Sequence, residues 1–160
     1  MNYDYMAFDK KTIAIAADEE GIRYLEFQDG KRPLTIETDW TREPNSFIQD
    51  AKKQLGAYLK GELAEFKLTL RPHGTEFQRQ VWKRLCEIPL GQTMSYGELA
   101  RAIGRPTASR AVGAANGQNP IAVIIPCHRV IGKNGKLTGY AGGVDIKSWL
   151  LEHEEAGVHA

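Results

Sequence analysis

The hydrophobic period of this chain changes at Arg71-Pro72-His73-Gly74, and that change constrains the fold more than any other feature. Before it, apolar and polar residues alternate as in half-buried strands. After it, apolar residues recur at helical spacing behind capping signals. The expected organisation is two units, residues 1–73 and 74–160, joined at this break. A length of 160 residues suits two small units sharing an interface.

In the first unit, TIAIAADEEGIRYLEF alternates on either side of a DEEG turn and predicts a hairpin with strands near 11–17 and 22–27. A third strand is expected at FKLTL, 66–70. Between them Asn45 can cap a helix carrying Phe47, Ile48, Ala51, Leu55, Tyr58 and Leu59 at helical spacing, ending near Gly61. No catalytic signature is visible there, and residues 1–72 hold neither Cys nor His, the usual transition-metal ligands.

In the second unit, Thr75 with Gln78 forms a capping box before a helix lined by Phe77, Val81, Leu85 and Ile88, with Trp82 beside them, stopped by Pro89 and Gly91. Ser95 with Glu98 opens a short second helix that carries Leu99, Ala100 and Ile103 and ends at Gly104. After the Arg105-Pro106 turn, Thr107 is expected to cap a third helix reaching about Gly117. Two short helices joined by a tight turn give the helix-turn-helix pattern, with the third helix in the recognition position. That helix is almost bare: Ala108, Ala111, Gly113, Ala114, Ala115 and Gly117 surround one long side chain, Arg110. It can pack tightly on its own core or approach another surface closely, and the pattern alone leaves both open. Next come a buried-looking strand ending at Pro126 and a hairpin turning at Asn134-Gly135. The last helix, from about Asp145, has Ile146, Trp149, Leu150 and His153 on one stripe. Glu154 lies at the edge of that stripe, and if turned inward it requires a partner.

The formal net charge of +1 hides an uneven distribution: residues 1–70 sum to −3 and residues 71–160 to +4. No acidic residue lies between Glu98 and Asp145, while Arg101, Arg105, Arg110, Arg129, Lys133 and Lys136 supply six positive charges. A phosphate-facing surface and a solvated basic face both fit this run. The two cysteines, Cys86 and Cys127, exclude a disulfide scaffold and a four-thiolate zinc site. No apolar run approaches the roughly 20 residues of a membrane span. The N-terminus lacks the order of a secretory signal, so a reducing cytoplasm and no membrane partner are expected.

Chemistry concentrates at Cys127-His128, where an imidazole can take a thiol proton. Sequence neighbours do not face each other, so contact needs a turn or a bridging water. The full string Ile125-Pro126-Cys127-His128-Arg129-Val130 resembles the active-site signature of the O6-alkylguanine-DNA alkyltransferases, the methylated-DNA–protein-cysteine methyltransferases. The resemblance runs from Phe77 to Glu154 through Ser95-Tyr96, Ser109-Arg110-Ala111-Val112-Gly113, Asn119-Pro120, Tyr140-Ala141-Gly142-Gly143 and the segment from Lys147 through Trp149-Leu150-Leu151 to His153-Glu154. Residues 1–73 resemble the family only in their hairpin-and-helix layout.

The resemblance implies an α+β chain: a small ribonuclease H-like α/β unit, then a mostly helical winged helix-turn-helix unit carrying the active site. It implies transfer of an alkyl group from O6-alkylguanine, flipped out of duplex DNA, to Cys127 in a single turnover, with O4-alkylthymine a further candidate. By the same correspondence His128 is the base acting through water, Glu154 holds its imidazole, Tyr96 protonates the leaving guanine, and Asn119 holds the turn before the active-site segment. Backbone groups near Cys127, Val130 and Ala141, with Tyr140 against the ring, are implied to recognise the base. Arg110 is implied to fill the stack in a minor-groove complex of weak sequence preference, with Gly97, Arg105 and Lys133 near the DNA backbone. No cofactor and no metal are implied, and the expected state is a monomer, with cooperative binding on DNA left open. Cys86 is expected to be a packing thiol, His153 a satisfied core histidine, and His73 and His159 receive no role. The alternatives are a non-catalytic alkyltransferase-like protein, which Cys127 opposes, a helix-turn-helix regulator, whose recognition helix would need base-reading side chains, and a thiol hydrolase, for which no separate oxyanion motif is seen.

Overall fold

In a computed structural model that describes residues 1–157, the first unit is a four-stranded sheet of order β3-β2-β1-β4. Its strands are β1 (Asn2–Phe8), β2 (Lys11–Ala17), β3 (Ile22–Phe27) and β4 (Thr41–Arg42). β2 pairs antiparallel with both neighbours, and β4 joins β1 in parallel. The expected hairpin is β2–β3, while β1 was not anticipated. Ile13 to Ala17 on β2 are all buried: the strand lies between β1 and β3, and helix α1 (Ser46–Leu59) packs against it. α1 starts where expected, with Ile48 N–H donating to the Asn45 side chain, and buries Ile48, Ala51, Leu55 and Tyr58. FKLTL does not become a strand. Only Leu70 bridges to Ile22, and the segment is pinned by Gln54, whose amide donates to the Lys67 carbonyl at 3.0 Å and accepts from its N–H at 2.8 Å. That side-chain bracket satisfies Lys67, and backbone pairing is confined to Ile22, which donates to the Thr69 carbonyl at 2.9 Å and accepts from Arg71 N–H at 2.8 Å.

The second unit holds α2 (Glu76–Leu85), β5 (Met94–Ser95), α3 (Tyr96–Ala102), α4 (Ser109–Gly117), β6 (Val130–Ile131) and α5 (Val144–Glu155). Both capping boxes form as expected. Thr107 does not cap α4: the Arg105 carbonyl accepts from Ala108 N–H at 2.9 Å, which holds Thr107 inside the turn, and Ala108 stands at the cap position without a side-chain bond. The buried run 121–125 is not a strand either. Asn119 brackets it, its side-chain oxygen accepting from Ile121 N–H at 3.0 Å and its amide donating to the Ile125 carbonyl at 2.7 Å, while Val123 takes a φ of 70°. One bridge, Leu25 to Ile121, ties this segment to β3.

Asn134 and Gly135 adopt the positive φ that their turn signal requires, 67° and 77°, and Gly132 N–H closes the turn on the Lys136 carbonyl. The flanking arms do not pair as a hairpin. β6 pairs in parallel with β5, and the buried Lys147 ammonium joins the arms by donating to the Val130 carbonyl at 2.7 Å and the Thr138 carbonyl at 2.9 Å. Among the described residues no helix is long and apolar enough to cross a membrane. His159 lies outside the described residues.

Candidate active site

Cys127, His128 and Arg129 form one 3-10 turn behind Pro126, and all three are buried. The turn sends consecutive side chains in different directions, so thiol and imidazole need not oppose each other. His128 Nε2 lies 2.6 Å from Glu154 Oε2 on α5, the inward-turned carboxylate anticipated from its helix position. An ionised carboxylate only accepts, so Nε2 carries the proton and Nδ1 keeps the lone pair. Nδ1 is buried without a partner among the described residues.

Glu154 collects further donors. Arg129 Nε donates to Oε1 at 2.7 Å and its terminal nitrogen to Oε2 at 3.1 Å. Tyr58, on α1 of the first unit, donates its hydroxyl to Oε2 at 2.6 Å. Burial alone would raise the carboxyl, but the hydrogen bonds and charges of His128 and Arg129 outweigh it and hold Glu154 at about 2. His128 is lowered, because burial and the nearby Arg129 and Lys147 outweigh the pull of Glu154. Both shifts favour a neutral imidazole beside an ionised carboxylate.

Burial pushes the Cys127 thiol up to about 11, with Glu26 adding to the rise and Asn119 and Lys147 opposing it. A thiol at that value is a weak nucleophile near neutrality and needs a base. Cys127 lines a narrow cavity of about 10 Å³ with Glu26, Arg32, Asn116, Asn119, Tyr140 and Ala141, room for one water and not for a base. The same Arg32, Asn116, Tyr140 and Ala141 also line an outer hollow of about 400 Å³, together with Lys31, Tyr96 and Gly113. The Tyr96 hydroxyl there lies 3.2 Å from Thr138 Oγ1.

The site thus joins a buried thiol and a carboxylate-oriented imidazole to a small-residue helix whose Asn116 amide donates to the Cys127 carbonyl at 3.4 Å. Residues 1–72 match the family described as 6-O-methylguanine DNA methyltransferase, ribonuclease-like domain, and residues 76–156 match its DNA-binding domain. The chain belongs to the 6-O-methylguanine DNA methyltransferase family. A methylated-DNA–protein-cysteine methyltransferase of Methanosarcina barkeri (strain Fusaro / DSM 804) is 53% identical over 155 residues, 97% of this chain and 98% of that protein. One of the same description from Mycolicibacterium paratuberculosis (strain ATCC BAA-968 / K-10) is 59% identical over 117 residues, 73% of this chain and 70% of that protein. The crystal structure of Mycobacterium tuberculosis OGT in complex with DNA superimposes with a TM-score of 0.90 at 46% identity, covering 100% of this chain and 96% of that one.

Within this methyltransferase-family fold, one side of α4 packs on the core and the other faces solvent. Val112, Ala115 and Asn116 are buried, with Trp82 Nε1 donating to the Ala115 carbonyl at 2.8 Å, while Arg110, Ala111, Ala114 and Gly117 are exposed. Arg101, Arg105, Lys133 and Lys136 are exposed as well, with Arg105 lying over the Phe77 ring, and Gly97 is half-buried. The sixth cation of the acid-free run, Arg129, is not on this surface: it is buried, and it also donates to the Ile88 carbonyl at 2.6 Å. Cys86 is exposed at the end of α2 rather than packed, because the helix stops there. His153 is satisfied as expected, donating to the Tyr58 carbonyl and stacking on Trp149.

Cys127, Asn119, Tyr140 and Ala141 line one cavity, and His128, Glu154 and Val130 lie buried beside it, whereas Arg110, Arg105 and Lys133 stand apart on the surface. Sequence reasoning missed Glu26, Arg32, Tyr58, Asn116 and Lys147. The first three lie before the break at 71–74 and carry no local motif. Lys147 carried a signal, a lone lysine beside the apolar stripe of α5.

Proposed function

We propose that this protein repairs DNA by moving the alkyl group of O6-alkylguanine irreversibly onto its own Cys127. The observation that carries the reading is the Glu154–His128 pair at 2.6 Å on the turn that buries the Cys127 thiol. The thiol proton passes through a water to His128 Nδ1, and Glu154 stabilises the imidazolium. Sulfur then attacks the O6-alkyl carbon; the S–C bond forms as the C–O6 bond breaks, and the guanine accepts a proton from Tyr96. Tyr96 lines the outer hollow, through which a flipped base would pass. The thioether has no good leaving group, so one turnover ends the protein's activity, and no cofactor enters the balance. Asn119 holds the active-site segment by its two side-chain bonds, and Tyr140 with the backbone near Val130 and Ala141 receives the base.

Duplex DNA meets the exposed side of α4 through its minor groove. Ala111, Ala114 and Gly117 permit close approach there, Arg110 takes the place of the flipped base, and Arg105, Lys133 and Gly97 face the backbone. Such contacts carry little sequence information. A cavity of about 10 Å³ must open to admit the base, which requires movement of Arg32 or of residues 139–141. A reducing cytoplasm keeps both thiols available.

Duplex DNA carrying labelled O6-methylguanine should place label on Cys127, with at most one equivalent per protein. Label on a Cys127→Ala variant, or sustained turnover, refutes the mechanism. An O4-methylthymine duplex in the same assay decides the breadth of substrate.

A further inference from the structure

Tyr58 grips α5 twice from the first unit. Its hydroxyl donates to Glu154 Oε2 at 2.6 Å, and its carbonyl accepts from His153 Nε2, also at 2.6 Å. Its ring is held by Phe8, Phe66 and His153, with centroids 6.2, 5.5 and 5.1 Å away, and the residue is 2% exposed. The hydroxyl reaches the same carboxylate oxygen that His128 uses. Three donors therefore converge on Oε2, and Tyr58 is the one that stays neutral when His128 takes up a proton.

We propose that Tyr58 is a positioning residue for the transfer reaction: its hydroxyl fixes and partly neutralises the Glu154 carboxylate that orients His128, so the first unit supplies part of the proton relay. Burial and the adjacent Glu154 charge push the phenol far above its ordinary range, so it remains a donor at every working pH. With this donor in place, Glu154 holds the imidazolium proton less tightly and His128 remains a neutral base at lower pH. The other titratable and charged groups around this relay are Cys127 and Arg129 on the same turn, Lys147 and His153 on α5, Tyr140 from the loop before it, and Glu26 on β3. Tyr58 is among the groups that raise the Tyr140 phenol, so Tyr58→Phe also removes that contribution, while the other side chains keep their partners.

The inference rests on the transfer proposed above, and the experiment separates the two. Single-turnover transfer from O6-methylguanine duplex DNA is followed from pH 5 to 9 for the wild type, Tyr58→Phe and Phe66→Leu. Removing a hydrogen bond to a charged group should move the acid limb of the Tyr58→Phe profile up by about one pH unit and slow transfer about tenfold on that limb. The plateau should change little. Phe66→Leu loosens the packing around the Tyr58 ring without touching the carboxylate; it should lower thermal stability and leave the acid limb in place. An NMR titration of His128 should show the same upward shift in Tyr58→Phe. If that variant does not fold, difluorotyrosine at position 58 keeps the shape and donates more strongly, and the limb should move down. A limb unmoved by either substitution, or moved equally by Phe66→Leu, overturns the role of Tyr58. Absence of label on wild-type Cys127 refutes the transfer reaction instead.

Discussion

Glu26→Gln should stabilise the protein by an amount that grows with pH. Glu26 is 9% exposed on β3, and burial raises its carboxyl from 4.5 to about 8 against the opposing charge of Arg32. Between those two values the folded state holds a proton that the unfolded chain has released, so wild-type stability falls as pH rises, by about 1.4 kcal/mol per pH unit. The accumulated loss is about 3 kcal/mol at pH 7 and levels near 5 kcal/mol above pH 8, a large share of a typical domain's stability. The amide introduced by the substitution does not titrate, so the difference between variant and wild type should be flat below pH 4.5 and rise through this window. A 3 kcal/mol gap corresponds to roughly 10 °C in melting midpoint for a chain of this size. Urea denaturation at half-unit steps from pH 4 to 9 measures it. The offset between the curves depends on how the amide packs, but the slope of their difference does not. Parallel curves for the two proteins would refute the buried, raised carboxyl. The same substitution removes a charge that helps push the Cys127 thiol up, so alkyl transfer by Glu26→Gln should outpace the wild type increasingly above pH 8.

Two further outcomes are expected. Arg110→Ala should slow repair in duplex DNA far more than reaction with a free O6-alkylguanine base, since Arg110 is exposed on α4 away from the thiol cavity; equal slowing in a side-by-side rate comparison contradicts a role in base flipping. Arg129→Met should cost about 3–5 kcal/mol in urea denaturation, because it leaves the Glu154 carboxylate buried with its main cationic partner removed. The exposed Arg105→Ala serves as a reference and should cost less than about 1 kcal/mol.

What could be read from the sequence was whatever local spacing encodes. The capping boxes at Thr75 and Ser95, the cap at Asn45 and the inward edge of Glu154 each depend on residues three or four apart, and each is found in place. Three of the errors share one physical cause, a side chain taking over part of the backbone pairing. Gln54 brackets 66–70, Asn119 brackets 121–125 and Lys147 joins the arms on either side of Asn134-Gly135. Apolar alternation describes burial equally well with or without a ladder, so it cannot tell these segments from strands. Arg129 was counted as a surface cation for a related reason. Charge along a chain does not reveal that a carboxylate 25 positions away turns inward to meet it.

The break at 71–74 divides two hydrophobic periods, but the chemistry does not divide there. Leu25 on β3 donates its N–H to the Pro120 carbonyl and accepts from Ala122 N–H, both at 2.9 Å, which clamps the segment entering the Cys127 turn. Lys31 N–H donates to the Ala141 carbonyl at 2.8 Å, and the Arg32 guanidinium donates to the Gly117 carbonyl at the end of α4. Phe27 packs against the Tyr140 ring, Glu26 faces the thiol, and Tyr58 completes the donors to Glu154. Separating the units would expose these groups to water and leave a buried carboxylate with one donor fewer, which costs more than losing an exposed contact. The helix-turn-helix unit contributes the thiol, the imidazole and the small-residue helix α4. The acidic first unit contributes the walls and one of the hydrogen bonds that hold those groups in a reactive arrangement. The residues by which it reaches the outer hollow beside α4 are nonetheless basic, Lys31 and Arg32. A chain of nearly zero net charge can therefore present a basic surface to DNA.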